Sequence, residues 1–296
     1  MSNLNILITV ASWEDRFRLN LINILEGHSF GRVLMFYFKE FSEMSKENRD
    51  TVFDRYPEKI VPVELSYGNY IHSWKIIRSC FELNFTKRDQ FTLDISTCPR
   101  DLIWTFLLFA KHNFLDVSYC YAKPVGYSLD WLSRYPANPR LVLKLSGIYS
   151  FEKPTLLLIA SGFDTERAEQ LIRHYEPKKI LLGLQVGDQF DNKNRNRDEH
   201  IKSLSVASPP YELQMFDLDA YSDEHGIFSI EDSLGPYIND YNVVACSNGP
   251  KLSAISLFRL HVKHPCIGLS YTPSKDYNIE YSHGIGEVTW GRIQFS

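Results

Sequence analysis

The fold is decided by the segment Ile6-Leu7-Ile8-Thr9-Val10-Ala11-Ser12, an apolar run that ends in a polar residue. The chain repeats this pattern as Leu156-Leu157-Leu158-Ile159-Ala160-Ser161. Continuous apolar runs of this kind are typical of strands in a parallel sheet that is covered on both faces. The sequence therefore predicts two similar units, each opening with a buried strand.

Polar residues recur after the two opening strands. Asp15 and Arg18 follow the first strand, and Asp164 and Arg167 follow the second at the same spacing. A core can be rebuilt from many apolar residues of suitable volume, so a repeat of polar loop residues points to shared chemistry rather than to shared packing. We therefore expect two copies of one ligand-binding unit, with both pairs on the ligand edge of their sheets.

Strands and helices alternate after each opening strand, which is typical of α/β proteins with parallel sheets. The alternation predicts two tandem Rossmann-like units with helix-flanked parallel sheets, related by a pseudo-two-fold axis. The predicted division is residues 1–133 for the first unit, 134–154 for a connecting segment and 155–296 for the second unit. Further predicted strands lie at 33–38, 60–65, 90–95, 117–121, 179–186, 211–217, 242–246, 266–271 and 287–294. Predicted helices lie at about 15–25, 69–83, 102–112, 164–175, 229–237 and 250–261.

Bulk composition excludes several classes of protein. The formal net charge of -4 argues against an extended nucleic-acid surface, because phosphate neutralisation needs concentrated basic residues. The five cysteines are scattered and never form a CxxC pair, which indicates reduced thiols rather than disulfides or a zinc site. No apolar run is long enough to span a bilayer, and no signal peptide is recognisable. We expect a cytoplasmic protein without a membrane contact or a cofactor.

The most specific motif follows the predicted fourth strand of each unit. In the first unit it is Asp94-x-Ser96-x-x-x-Arg100, and in the second it is Ser247-x-x-x-Lys251, with Ala245 where the acid would be. Ligands of parallel α/β sheets bind beyond the carboxyl ends of the strands, where a hydroxyl, a helix N-terminus and a cation together suit a phosphate. Helix capping by the serines is the alternative interpretation.

This motif resembles that of the CRISPR-associated Rossmann fold (CARF) family, and two fused units resemble the SAVED domains of bacterial antiphage systems. The resemblance implies a sensor of a cyclic oligoadenylate messenger in prokaryotic antiviral defence, with the ligand held by the strand-four and strand-one loops. It also implies that one half-site has diverged, at Ala245. The implied ligand-binding residues are Ser12, Trp13, Asp94, Ser96, Arg100, Ser161, Gly162, Phe163, Ser247, Asn248, Gly249 and Lys251.

Two other polar stretches are candidates for the pocket wall. Asn192, Asn194 and Arg195 suit recognition of a base edge or a phosphate, or form an ordinary solvated loop. The run from Tyr277 through Tyr281 to Gly286 is rich in hydrogen-bonding groups and glycine, and serves either a ligand or a turn before the last strand.

Two functions from different classes follow. The first is a nucleotide sensor that binds a cyclic or linear messenger between its halves and signals through a separate effector protein or by self-assembly. The alternative is an enzyme, such as a metal-independent phosphodiesterase acting on a nucleotide or phosphorylated metabolite in the same cleft. The catalytic residues of such an enzyme are unknown, because the nine histidines form no HxxxH or HxH pattern and no GxSxG or Walker loop is present. A scaffold with a vestigial pocket is a third possibility.

Overall fold

The computed structural model describes residues 4–86, 89–113, 115–128, 130–186, 200, 202 and 211–295. It is a mixed α/β protein with parallel strands in both of its large sheets, which confirms the predicted α/β class. The chain divides into two compact units, residues 1–132 with 277–296 and residues 133–276.

The first unit contains one six-stranded sheet with its helices, and a short strand pair. Its strands are β1 Asn5–Val10, β2 Arg32–Phe38, β3 Ile60–Leu65, β4 Gln90–Asp94, β5 Asp116–Ala122, β6 Gly126–Tyr127, β15 Ser282–His283 and β16 Val288–Ile293. Its helices are α1 Asp15–Gly27, α2 Lys46–Arg55, α3 Tyr70–Asn84 and α4 Arg100–His112.

The first sheet has the strand order β3-β2-β1-β4-β5-β16. Its first five strands are parallel, and β16 pairs antiparallel with β5 at the edge. Strand β1 is central, and its apolar side chains are buried because helices cover the sheet. Helix α1 contributes Phe17, Leu21 and Ile24 to the core around Leu7 and Val33.

The second unit is built in the same way. Its strands are β7 Ser133–Pro136, β8 Arg140–Leu141, β9 Thr155–Ala160, β10 Lys179–Gln185, β11 Glu212–Leu218, β12 Asn242–Ser247, β13 Gly268–Tyr271 and β14 Ser274–Tyr277. Its helices are α5 Thr165–Tyr175, α6 Ile227–Leu234 and α7 Leu252–Lys263.

The second sheet has the order β11-β10-β9-β12-β13-β8, with five parallel strands and the antiparallel β8 at the edge. The pairing register supports the alignment of the two repeats. Leu93 lies opposite Ile8 in the first sheet, and Val244 lies opposite Leu157 in the second. Because strand positions advance together in parallel pairs, Asp94 and Ala245 occupy equivalent places beside β1 and β9.

The unit boundaries differ from the predicted division at residues 133 and 155. The sequence-based division places the last predicted strand in the second unit. In the structure this strand is β16, which completes the first sheet by pairing with β5. The predicted connecting segment supplies β8, which closes the second sheet beside β13. Both strands cover a sheet edge whose backbone groups would otherwise be unpaired, and hydrophobic periodicity does not reveal which edge a strand will cover.

One helix has no counterpart in the sequence-based prediction. Helix α2 buries only Asn48 and Val52, so it lacks the apolar stripe that predicts a helix. Most other predicted elements agree with the structure to within two residues at each end. Among the described residues, none of the helices has the length and apolar character needed to cross a membrane.

The topology predicts which fragments fold. A fragment of residues 133–276 should unfold cooperatively in urea, with a slope of about 1–3 kcal/mol/M, because it contains every strand of the second sheet. The matched fragment of residues 155–296 should unfold without a sharp transition, since it lacks β8 and carries β16 without β5. Far-UV circular dichroism measures both. Equal cooperativity in the two fragments would contradict these unit boundaries.

Candidate functional site

Both sheets have a point where the chain changes direction across the sheet. The second and third parallel strands lie on one side of β1 or β9, and the fourth and fifth lie on the other. The carboxyl ends at this switch point are where ligands bind in open parallel sheets. Ser12 follows β1, Ser161 follows β9, Ser96 follows β4 and Ser247 ends β12, so all four predicted serines lie at this edge.

In the first unit the switch point is filled by the Asp94 side chain, which is fully buried. Its carboxyl oxygens accept hydrogen bonds from Thr9 Oγ1 at 3.0 Å, Asn20 Nδ2 at 3.1 Å and the Ser96 backbone N–H at 3.0 Å. Ser96 is also fully buried, and its Oγ accepts a hydrogen bond from the Ala122 backbone N–H at 2.8 Å. Asp94 and Ser96 therefore hydrogen-bond within the protein and tie β1, α1, β4 and β5 together.

A buried ion pair orders the loop after β1. Arg16 is 2% exposed and lies 2.8 Å from Glu14 Oε2, which also accepts a hydrogen bond from Ser282 Oγ in β15. Burial opposes the charge of Arg16, but the adjacent Glu14 carboxylate keeps the net pKa above its ordinary value. This pair, rather than Asp15 and Arg18, holds the loop in place.

The repeat of Asp15 and Arg18 in the second unit does not extend to their environments. Arg18 and Asp15 form an exposed pair on α1. Arg167 instead is buried, pairs with Asp164 at 2.9 Å, and donates hydrogen bonds to Ser133 in β7 and Ser274 in β14. The two repeated pairs therefore lie in different environments, because only Arg167 is buried in a hydrogen-bond network.

Aromatic rings surround the β1 loop at the carboxyl edge of the first sheet. We call Trp13, Phe38, Phe41, Tyr67 and Tyr277 the aromatic cluster. Neighbouring ring centroids in it are 5.0–6.4 Å apart. Phe38 is buried and the other four rings are half-buried, and each member comes from a different loop or strand end. Two predicted site residues, Trp13 and Tyr277, thus lie side by side.

Hydrogen bonds fix the positions of these rings. Trp13 Nε1 donates to the Asn278 carbonyl at 3.1 Å, and the Tyr67 and Tyr277 hydroxyls are 2.8 Å apart. The Glu40 carboxylate accepts from the backbone N–H of Tyr67 at 2.8 Å and from Ser66 Oγ at 2.7 Å. Partial burial of Glu40 opposes ionisation, but these hydrogen bonds hold its pKa below the ordinary value.

In the second unit two loops cross at the switch point. The backbone N–H groups of Asn248 and Gly249 both donate to the Ala160 carbonyl, at 2.8 and 3.1 Å. A Cβ at Gly162 would overlap the Asn248 carbonyl, and a Cβ at Gly249 would overlap the Ser161 carbonyl. Only glycine allows this backbone approach. Four predicted residues, Ser161, Gly162, Asn248 and Gly249, are therefore brought together.

Two side-chain amides at this crossing have donors without partners among the described residues. Gln185, at the end of β10, is 1% exposed, and its Nε2 has no hydrogen-bond partner in the part of the chain that the structure describes. Asn248 Nδ2 also has no hydrogen-bond partner among the described residues. His200 Nε2 is 2.9 Å from the Gly162 carbonyl. Ser161 is turned away, because its Oγ donates to the Gly183 carbonyl at 2.7 Å.

The remaining predicted residues are dispersed. Arg100 is the half-buried first residue of α4, and Lys251 immediately precedes α7. Phe163 is 45% exposed, and Tyr281 contacts Tyr127. Asn192, Asn194 and Arg195 lie outside the described residues. Ser12 forms a local turn, in which its Oγ accepts from the Glu14 N–H at 3.2 Å, and it does not cap α1.

Comparisons with known proteins identify no family. No protein-family model matches the sequence, and no curated protein matches it significantly. Within the described ranges, no group of three or more histidine, cysteine, aspartate or glutamate side chains is arranged to hold a metal ion.

Sequence reasoning missed Gln185, Tyr67 and the pair of Glu14 with Arg16. Gln185 is the one polar residue between the apolar Leu184 and Val186, and that interruption is the signal that marks it. Tyr67 carries no local signal, because it joins the aromatic cluster through contacts distant in sequence.

Replacing Asp94 tests whether it serves the fold. Asp94→Ala should lower the free energy of unfolding by about 2–4 kcal/mol, because it leaves the buried Thr9 hydroxyl and one of the two Asn20 amide hydrogens without an acceptor. Asp15→Ala, at a 61% exposed position, should change it by about 0.5 kcal/mol or less. Urea unfolding measures both. If Asp94→Ala had unchanged stability, Asp94 would be assigned to ligand binding rather than to the fold.

Proposed function

We propose that the protein is a nucleotide sensor, which binds a phosphate-bearing messenger at the carboxyl edges of its two sheets. The observation that carries the proposal is the crossing of the Ser161–Gly162 and Asn248–Gly249 loops at the switch point of the second sheet. It brings together residues that two separate sequence motifs predict for one ligand. The shared strand order of the two sheets supports a tandem Rossmann-like architecture.

The aromatic cluster supports recognition of bases. Every nucleobase has a flat π-face, so half-buried aromatic rings bind bases by stacking with little sequence preference. Four half-buried rings at the first sheet's carboxyl edge suit this role, and Trp13 is among the residues that the CARF resemblance implies. Cations at Arg100 and Lys251, each at the start of a helix, suit the phosphates.

The resemblance to CARF and SAVED sensors gives this proposal its finer form. The ligand would be a cyclic oligonucleotide made during antiviral defence, and the output would pass to an effector protein or to self-assembly.

Calorimetry against a panel of cyclic and linear oligonucleotides tests the proposal. We expect saturable binding of at least one member, with affinity that falls as salt rises, because phosphate contacts are screened by ions. Chromatography of the same mixtures in EDTA should recover the ligand unchanged. Absence of binding across the panel would overturn the proposal. Cleavage of an oligonucleotide in EDTA would show that the protein is a metal-independent enzyme rather than a sensor.

Side-chain replacements should weaken the binding found in that panel. Trp13→Ala should cost about 1–3 kcal/mol of binding free energy through lost stacking. Trp290→Ala is the control, since Trp290 lies on β16 beside His28, outside the aromatic cluster. Lys251→Ala and Arg100→Ala should each cost about 1–3 kcal/mol. Lys263→Ala, at the other end of α7, is their control. Equal affinities of variants and controls would contradict these assignments.

A further inference from the structure

Two buried amide groups at the loop crossing of the second unit have unused donors. Gln185 Nε2 and Asn248 Nδ2 are both inaccessible to solvent and have no hydrogen-bond partner among the described residues. Gln185 Nε2 lies 3.0 Å from the position that a Cβ of Gly249 would take, so it faces the crossing. A buried donor without a partner destabilises the protein, and a ligand that accepts a hydrogen bond from it would remove this cost.

The orientation of the Gln185 amide follows from its neighbour. The Ala220 backbone N–H donates to Gln185 Oε1 at 3.4 Å. An N–H group can donate only to the oxygen of a carboxamide, so the NH₂ group must point the other way, toward Gly249. The amide is therefore held with its donors directed at the loop crossing.

Electrostatics at this position favour an anion. Asn248 and Gly249 lie just before the N-terminal end of α7, which is twelve residues long. Unpaired N–H groups give a helix N-terminus partial positive charge. Lys251 adds a cationic side chain at the same end. Amide donors beside a positive helix end suit an oxyanion, which only accepts hydrogen bonds.

In the first unit Thr97 takes the place of Asn248 in the repeat, and its Oγ1 donates to the Val10 carbonyl at 2.7 Å. The neighbouring end of β4 is also filled by the protein. There the Asp94 carboxyl group accepts the hydrogen bonds of Thr9, Asn20 and the Ser96 N–H. In the second unit the equivalent positions hold Leu158 and Ala245, which provide neither donors nor an acid. The buried donors of the first unit at this point are satisfied, and those of the second are not.

We infer that the second unit alone holds a phosphate subsite, in which Gln185 Nε2 and Asn248 Nδ2 donate hydrogen bonds to the phosphate oxygens of the ligand. The inference rests on the proposed function and deepens it. It assigns the phosphate contact to the switch point of the second unit.

Side-chain amide signals in ¹⁵N-labelled full-length protein test the subsite directly. The probe is inorganic phosphate, titrated at constant ionic strength against chloride. The signals of Gln185 and Asn248, assigned by their loss in Gln185→Leu and Asn248→Ala, should shift saturably. The Asn20 amide is the matched control, because it is buried and already donates to Asp94 and Ser96. Unmoved Gln185 and Asn248 signals at tens of millimolar phosphate would overturn the subsite.

Variants extend the test to affinity. Gln185→Leu should weaken phosphate binding by about tenfold or more, since hydrogen bonds to charged groups are the stronger ones. Gln185→Glu replaces the donor with an acidic oxygen and should abolish binding. Thermal unfolding verifies that each variant folds, and Gln185→Leu decides the outcome if Gln185→Glu does not. Wild-type affinity in a folded Gln185→Leu would overturn the inference.

The two proposals fail in different ways. Nucleotide binding that leaves the Gln185 and Asn248 amide signals unmoved refutes the subsite and leaves the sensor standing. Phosphate-dependent shifts without binding of any oligonucleotide in the panel refute the sensor and keep the anion subsite.

Discussion

The carboxyl end of a central parallel strand confines polar groups to a place that helices shield from water, and each sheet has to satisfy them there. Buried donors and acceptors left without partners are costly, so this one requirement constrains both switch points. The first unit meets it internally, through the Asp94 carboxyl group and its three donors. The second unit has replaced that acid with Ala245 and leaves two amide donors unused among the residues that the structure describes. The same backbone topology therefore supports a closed core in one unit and a candidate binding site in the other.

This difference changes the meaning of the internal repeat. Ser96 and Ser247 occupy equivalent positions in the repeat, but their surroundings differ at the equivalent positions Asp94 and Ala245. A buried acid with three donors rigidifies the elements that it joins. The close contact at Gly162 and Gly249 in the second unit instead brings two backbone segments together, and the side-chain amide donors beside it have no partner among the described residues. The two units therefore differ in the polar groups that they place at equivalent strand ends.

Strand positions were predictable because buried parallel strands are continuous apolar runs, as in β1 and β9. The glycines and serines that follow these apolar runs indicated where the strands end, and therefore where the switch points lie. Strand partners were not predictable, because only tertiary pairing assigns the edge strands β16 and β8 to a sheet. The importance of Arg16 over Arg18 was equally hidden, because burial of one arginine depends on Glu14 and on Ser282, distant in sequence. The orientation of the Gln185 amide was not predictable, because it is set by a hydrogen bond from the Ala220 backbone N–H, which is distant in sequence.

The placement of β16 has a consequence for biosynthesis. Strand β5 emerges from the ribosome long before its partner, and the entire second unit is translated in between. During that interval the backbone donors and acceptors along the outer side of β5 have no strand to pair with, and an unprotected edge of this kind is a template for association with other chains. The nascent first unit would be expected to depend on a holding chaperone, or on rapid translation, until residues 288–293 arrive and close the sheet.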